Sequence, residues 1–195
     1  YTRKDDLFSE EALADIRKLR DSLQAIDRVA SVTSILDVPL IKSPPISLSV
    51  VSDEVRTLET PDTNVALAKK ELLSSALYQN LILSPDGKTT ALQVVFKRDE
   101  TFHRLLRARN DLREAQLIRE LSPAEDRELI RVSDEFKDYS SVLVDQERRD
   151  IAAVREIMDR HRGSAELFLG GVPMIVADMI DFIRHDLLVF GVGVL

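Results

Sequence analysis

The sequence predicts an α+β fold: an α/β body interrupted by a long antiparallel helical hairpin. Three observations carry this. Apolar residues recur at 3–4 spacing over Leu13–Ile26 and again, more extensively, over residues 99–162. Short Val/Ile/Thr-rich runs bounded by turn residues lie between and after these stretches. The composition, 44% hydrophobic and 31% charged with few glycines and prolines, belongs to a folded helical chain and not to a disordered one.

The first predicted helix covers residues 9–26. Ser9 is its N-cap, and Glu10 and Glu11 meet the positive end of the helix dipole. Leu13, Ile16, Leu19, Leu23 and Ile26 form one face, with Arg17, Lys18, Arg20 and Asp21 on the other. Val29–Val38 reads as a strand, because β-branched residues fit a pleated surface. Pro39, Pro44 and Pro45 then impose an extended loop. Thr60-Pro61-Asp62 predicts a helix start with Thr60 as cap, running to about Leu77. Tyr78–Leu83 and Thr89–Phe96 are expected to pair as a β-hairpin around Ser84-Pro85-Asp86-Gly87-Lys88, since Pro presets the turn and Gly accepts positive φ.

The hairpin of helices begins near Asp99. Leu105, Ala108, Leu112 and Ala115 form its first apolar stripe. Ser122-Pro123-Ala124-Glu125 is a capping box that starts a second helix. Leu129, Val132, Phe136, Tyr139 and Leu143 continue the pattern, and Ile151, Val154 and Ile157 resume it in a shifted phase. The seam is coiled-coil-like, and Gly163 ends the helix. Residues 165–169 return as a strand. Four segments follow from this: body, 1–98; inserted hairpin, 99–162; return strand and helix completing the body, 163–186; and an apolar ending, 187–195. No first strand is evident, and Tyr1-Thr2 is read as the remainder of one. Restoring it gives the strand–helix–strand alternation of ferredoxin-like folds.

The nine residues Leu187–Leu195 carry no charge. They are expected to be the start of a transmembrane helix that continues past Leu195, since a span needs roughly 20 residues. The chain begins with Tyr1 and carries no signal peptide, so it is expected to be part of a longer protein.

A formal charge of −7 argues against a nucleic-acid surface. Residues 97–162 hold 15 basic and 16 acidic side chains, finely mixed, so charge is not segregated there either. With no cysteine there is no disulfide framework and no thiolate metal site. Gly170-Gly171-Val172-Pro173 lacks the lysine and glycine spacing of a phosphate loop, and no Ser-His-Asp order marks a nucleophile. No catalytic residue, cofactor or metal is therefore predicted. Asp178, Asp181, His185 and Asp186 form the one carboxylate–imidazole group. It reads as a solvated collar with Arg184 pairing to Asp181 or Asp178; a metal at Asp181 and His185, or a proton relay at Asp186, is the sharper alternative.

Three passages together resemble the first extramembrane loop of RND-superfamily exporters of the MMPL and hopanoid-transporter group: DLFSEEALADIRKLRDSLQAIDRVASVTSILDV, LYQNLILSPDGKTTALQVVF and LFLGGVPMIVADMIDFIRHDLLVFGVGVL. The resemblance covers most of the chain outside 99–162. It implies a porter-type body and a periplasmic domain of a proton-driven inner-membrane protein of bacteria. Such a domain would guide hydrophobic or lipid-like substrates outward. The implied partners are the rest of the same transporter chain, the membrane and the substrate, with homo-oligomerisation left open. Gly170, Gly171, Pro173, Asp178, Asp181 and Asp186 would couple the body to the membrane helix. The inserted hairpin departs from the drug-efflux members, which leaves trimeric assembly and an outer-membrane channel partner without support. Two other readings stand beside this: an extracytoplasmic sensor domain of a membrane receptor, and an adaptor whose hairpin docks another protein.

Overall fold

A computed structural model describes residues 2–4, 6–41, 56–75, 77–79 and 81–193. The fold is α+β, with two small antiparallel sheets and one very long helix among the described residues. It divides into two compact units, residues 1–96 with 152–171 and residues 97–151 with 172–195.

In the first unit, strand β1 (Thr2–Arg3) leads into helix α1 (Glu10–Gln24). Ser9 caps α1 as expected, its hydroxyl accepting the Ala12 amide at 3.2 Å. Leu13, Ile16, Leu19 and Leu23 are buried, so the predicted apolar face is the packed face. Strand β2 (Val29–Thr33) follows, shorter than the predicted Val29–Val38. The shortening has a local cause. Asp37 Oδ2 accepts both the backbone amide and the hydroxyl of Ser34, at 2.8 and 2.7 Å, which folds 34–37 back into a turn. Arg20 holds the other Asp37 oxygen at 2.7 Å. Most of the predicted proline-rich loop lies outside the described residues.

Helix α2 (Val65–Ser74) starts later than predicted, with Asn64 and not Thr60 as its cap. The Thr60 hydroxyl accepts from the Thr57 amide at 2.9 Å, behind it in the chain, and Asp62 takes a φ of 63°, which no helix start tolerates. The Ser84–Lys88 turn forms as expected, with Gly87 at φ 67° and its amide on the Ser84 carbonyl. The arm before it is not the predicted strand. Ile82 and Leu83 both donate to the Tyr78 carbonyl, so the chain coils there, and Leu83 meets Thr90 at an isolated bridge. Beyond the turn lie β3 (Thr89–Thr90) and β4 (Gln93–Phe96).

The remaining strand, β5 (Glu166–Leu167), completes a sheet of order β3-β1-β5, with Thr2 opposite both Thr90 and Leu167. The separate β2-β4 pair has an irregularity between Val29 and Ser31. Two apolar clusters support these sheets. Leu7, Leu13, Ile16, Ile35, Leu36, Leu72 and Leu83 belong to one. Leu19, Leu23, Val29, Val32 and Leu167 belong to the other, together with Val154, Ile157 and Met158 from the end of the long helix.

The second unit is built on α3 (Glu100–Ile118) and α4 (Pro123–His161). At 1.5 Å per residue α4 is about 58 Å long. The Asp99 carboxylate caps α3 by accepting the Phe102 amide at 2.8 Å and also takes the Tyr139 hydroxyl of α4 at 2.9 and 3.0 Å. Phe102 packs on Phe136, ring centroids 5.3 Å apart, and the Arg109 guanidinium lies 4.0 Å above the Phe136 ring. Leu105 and Val132 are buried in this antiparallel seam. At the far end the capping box closes in both directions: the Glu125 amide donates to the Ser122 hydroxyl at 3.3 Å, and the Ser122 amide donates to the Glu125 carboxylate at 2.8 Å. Ser140 donates back to the Phe136 carbonyl at 2.6 Å, and α4 runs unbroken through Ser140-Ser141. The last helix, α5 (Val172–Gly193), joins this unit.

Candidate functional site

The side chains that most need an explanation are on α5. Val172, Ile175, Val176, Met179, Phe182, Ile183, Leu187, Val189 and Phe190 are all exposed, several by more than half. Their 3–4 spacing places them along one side of the helix. Contiguous apolar surface of this kind marks an interaction site more often than a solvated face.

The opposite side explains how α5 is held. Arg148 of α4 pairs with Asp181 at 3.0 Å, and Asp145 of α4 accepts from Arg184 at 3.3 Å. As numbers rise on one helix they fall on the other, so α5 lies antiparallel to α4 along this stretch. Arg184 and Asp181, expected as one possible pair within α5, find these partners on α4. Arg148 also approaches Asp145 at 3.9 Å, which makes a small alternating network. Each pair is partly exposed, so each contributes about 0.2–1 kcal/mol. They tie α5 to α4 beside the side on which Ala177 is buried and Met174 and Ile180 are half-buried, and they leave the broad apolar arc exposed.

The sequence-nominated residues separate accordingly. Gly170 and Gly171 end the segment after β5, and Gly171 takes a φ of 123°, a backbone state that a side chain opposes. Pro173 sits in the first turn of α5, where its missing amide costs no helical hydrogen bond. Asp178 and Asp181 lie toward the charged side. Asp186 does not: it is half-buried and has Phe182, Ile183, Val189 and Phe190 three and four residues away along the helix. His185 is exposed. Among the described residues no group of three or more His, Asp or Glu side chains is placed to hold a metal ion. No helix among them is long and apolar enough to cross a membrane; α5 has the length, but Asp178, Asp181, Arg184 and Asp186 interrupt it.

Sequence reasoning missed Asp145 and Arg148 as partners of α5. The available signal was the recurrence of charge at 178, 181 and 184–185, one polar ridge that needed a complementary ridge elsewhere.

The first unit offers a small recess lined by Thr2, Lys4, Asp15, His161, Ser164 and Leu167, with room for about one water molecule. Lys4 Nζ meets the Asp15 carboxylate at 2.6 Å. That hydrogen bond, with further help from Ser164, holds the Asp15 carboxyl below its ordinary range despite the opposing effect of burial. A paired lysine and carboxylate in so small a space is a structural tie, not a substrate site.

No protein-family model, no curated protein and no solved structure matches this chain.

Proposed function

We propose that this chain is a periplasmic porter domain of a proton-driven RND/MMPL-type exporter, guiding hydrophobic or lipid-like molecules away from the inner membrane. The observation that carries the reading is the exposed apolar side of α5, which directly follows β5 of the body. A domain working beside lipid needs such a surface; a freely solvated one is penalised for it. The resemblance of the three sequence passages adds the family, and with it a ferredoxin-like porter-type body around the β1–α1–β2 stretch and the β3-β1-β5 sheet. In this reading the segment 170–173 and the acids of α5 couple movement of a membrane helix to the body.

The test is transport by the whole protein. Reconstituted in proteoliposomes, it is expected to move a fluorescent lipid analogue only when a proton gradient is imposed. A protein with one further span, a cytoplasmic signalling module and no gradient-driven movement would replace this reading with the receptor-sensor one.

A further inference from the structure

We infer that the exposed apolar arc of α5 is the docking face for a partner helix, one that presents apolar side chains along its length and a single lysine or arginine level with Asp186. The inference goes beyond the exporter reading, which needs the arc only to be withdrawn from water, and names what withdraws it. In that reading the partner helix belongs to the rest of the transporter chain.

Three observations select this occupant. The first is spacing. Val172, Met179 and Asp186 recur at every seventh residue, and Ile175, Phe182 and Val189 follow them at the same interval, three residues on. Two such positions in each heptad form the seam between packed helices. Ile183 and Phe190 stand one residue further along and widen the seam to the stripe of a helix that faces a bundle core. The apolar members are exposed, so the seam has no partner among the described residues. At 1.5 Å per residue it is about 27 Å long, from Val172 to Phe190.

The second is Asp186. At about 100° per residue it lies about 20° from the middle of the arc. It is half-buried, with Phe182, Ile183, Val189 and Phe190 one turn away on either side. Its carboxylate makes no ion pair or side-chain hydrogen bond among the described residues. A purely apolar cover, lipid or protein, would close over this charge and leave it unpaired. A cation at the facing position turns the same burial into a charge-assisted pair, and one polar position in a seam fixes the register of the two helices.

The third is the balance of charge. α5 holds three aspartates against one arginine, within a chain of net −7. Arg184 is tied to Asp145 of α4 and lies about 160° around the helix from Asp186. His185 lies about 100° around, outside the arc. A second copy of α5 would therefore bring another carboxylate and no cation to this face. The complementary surface is basic and comes from a different helix.

The probe is a fluorescein-labelled three-heptad peptide with leucine at the seam positions, alanine and glutamine elsewhere, and lysine at the central seam position. A second peptide carries glutamate there. Binding of each to the 195-residue chain is followed by fluorescence anisotropy. The lysine peptide is expected to bind at least about tenfold more tightly than the glutamate peptide. In Asp186→Lys that order is expected to reverse. In the double change Phe182→Ser with Ile183→Ser, its fold confirmed by circular dichroism, the lysine peptide is expected to lose at least about tenfold in affinity.

Equal affinity for the two peptides, or an order that Asp186→Lys leaves unchanged, overturns the pairing at Asp186. Absence of binding by either peptide overturns helix docking. Unchanged binding by the serine variant puts the peptide elsewhere and overturns the arc as its site. A doubled mass of the chain alone in sedimentation, lost in the serine variant, identifies a second copy as the cover and overturns the inference as well. No arm uses lipid or a proton gradient, so these outcomes bear on docking, and failure of gradient-driven lipid movement bears on the exporter reading alone.

Discussion

Helices α1 and α5 are both amphipathic, yet they are used in opposite ways. Leu13, Ile16, Leu19 and Leu23 of α1 are buried, and its charged side reaches out to Asp37 and Glu59 through Arg17 and Arg20. On α5 a narrow side is covered, with Ala177 buried between half-buried Met174 and Ile180 and with Asp181 and Arg184 reaching α4 beside it, and Ile175, Met179, Phe182 and Phe190 face outward. Apolar periodicity establishes that a helix has two sides. It does not establish which side the rest of the chain covers. That depends on what the neighbour offers: α1 meets the apolar residues of β2 and of the Ser34–Leu40 turn, whereas α5 meets an arginine and an aspartate of α4.

The contrast between the two helices rests most heavily on α1. Ile16→Ala is expected to destabilise the first unit by about 2–5 kcal/mol, because a buried side chain leaves a cavity that the packing only partly fills. Urea unfolding followed by circular dichroism measures it; a loss under about 1 kcal/mol would mean that the α1 side is not a real core. Ser9→Ala removes the hydrogen bond to the Ala12 amide and is expected to cost about 1 kcal/mol in the same assay. On α5, a double-mutant cycle of Arg148→Ala and Asp181→Ala is expected to give a coupling of about 0.2–1 kcal/mol that shrinks in high salt. Zero coupling at low salt would remove the pair that fixes the orientation of α5. Smallest of all, Phe182→Ser is expected to change folding stability by no more than about 0.5 kcal/mol, since the side chain is already exposed. A cost near that of Ile16→Ala would erase the contrast.

A fifth test concerns acid. Glu125 at the hairpin turn takes both guanidinium arms of Arg119, at 2.6 and 3.0 Å, and the Ser122 amide. The Arg119 hydrogen bond, first, and the Ser122 bonds pull its carboxyl from 4.5 down to about 2. A carboxylate more acidic in the folded state stabilises it at pH values above the ordinary 4.5 and loses that contribution as pH falls toward 2. The Glu125 side-chain resonance is therefore expected to titrate near pH 2 in the wild type and to move up toward the ordinary value in Arg119→Ala.

Features encoded over four or five residues were legible in the sequence. The Ser122–Glu125 capping box, the Ser9 cap and the Gly87 turn each depend on groups that bond their own neighbourhood. Features decided by distant partners were not. Continuation of β2 as far as Val38 was predicted from β propensity, but Asp37, held by Arg20, turns the chain at Ser34. Tyr78–Leu83 has strand composition and coils because the Tyr78 carbonyl collects the amides of Ile82 and Leu83. Thr60 has the residue type of a cap, but its hydroxyl is committed to Thr57. At the candidate site, residues 170–173 and the acids were visible as a group. The pairing of Asp181 and Arg184 with α4 was hidden, because the partners Arg148 and Asp145 lie 33 and 39 residues away in the chain.

The final turns of α4 also limit how this protein could have acquired its hairpin and how it could be shortened. They supply Val154, Ile157 and Met158 to the apolar cluster shared with Leu19, Leu23, Val29 and Leu167. Residues 97–162 are therefore not a cassette that can be lifted out and the ends rejoined. Deleting them removes three core side chains from the unit left behind. A shorter relative of this chain would need either a retained helical stub from about Ala152 onward or larger residues on α1 and β2 to fill the space. That compensation is the mark by which a hairpin-free ancestor could be recognised.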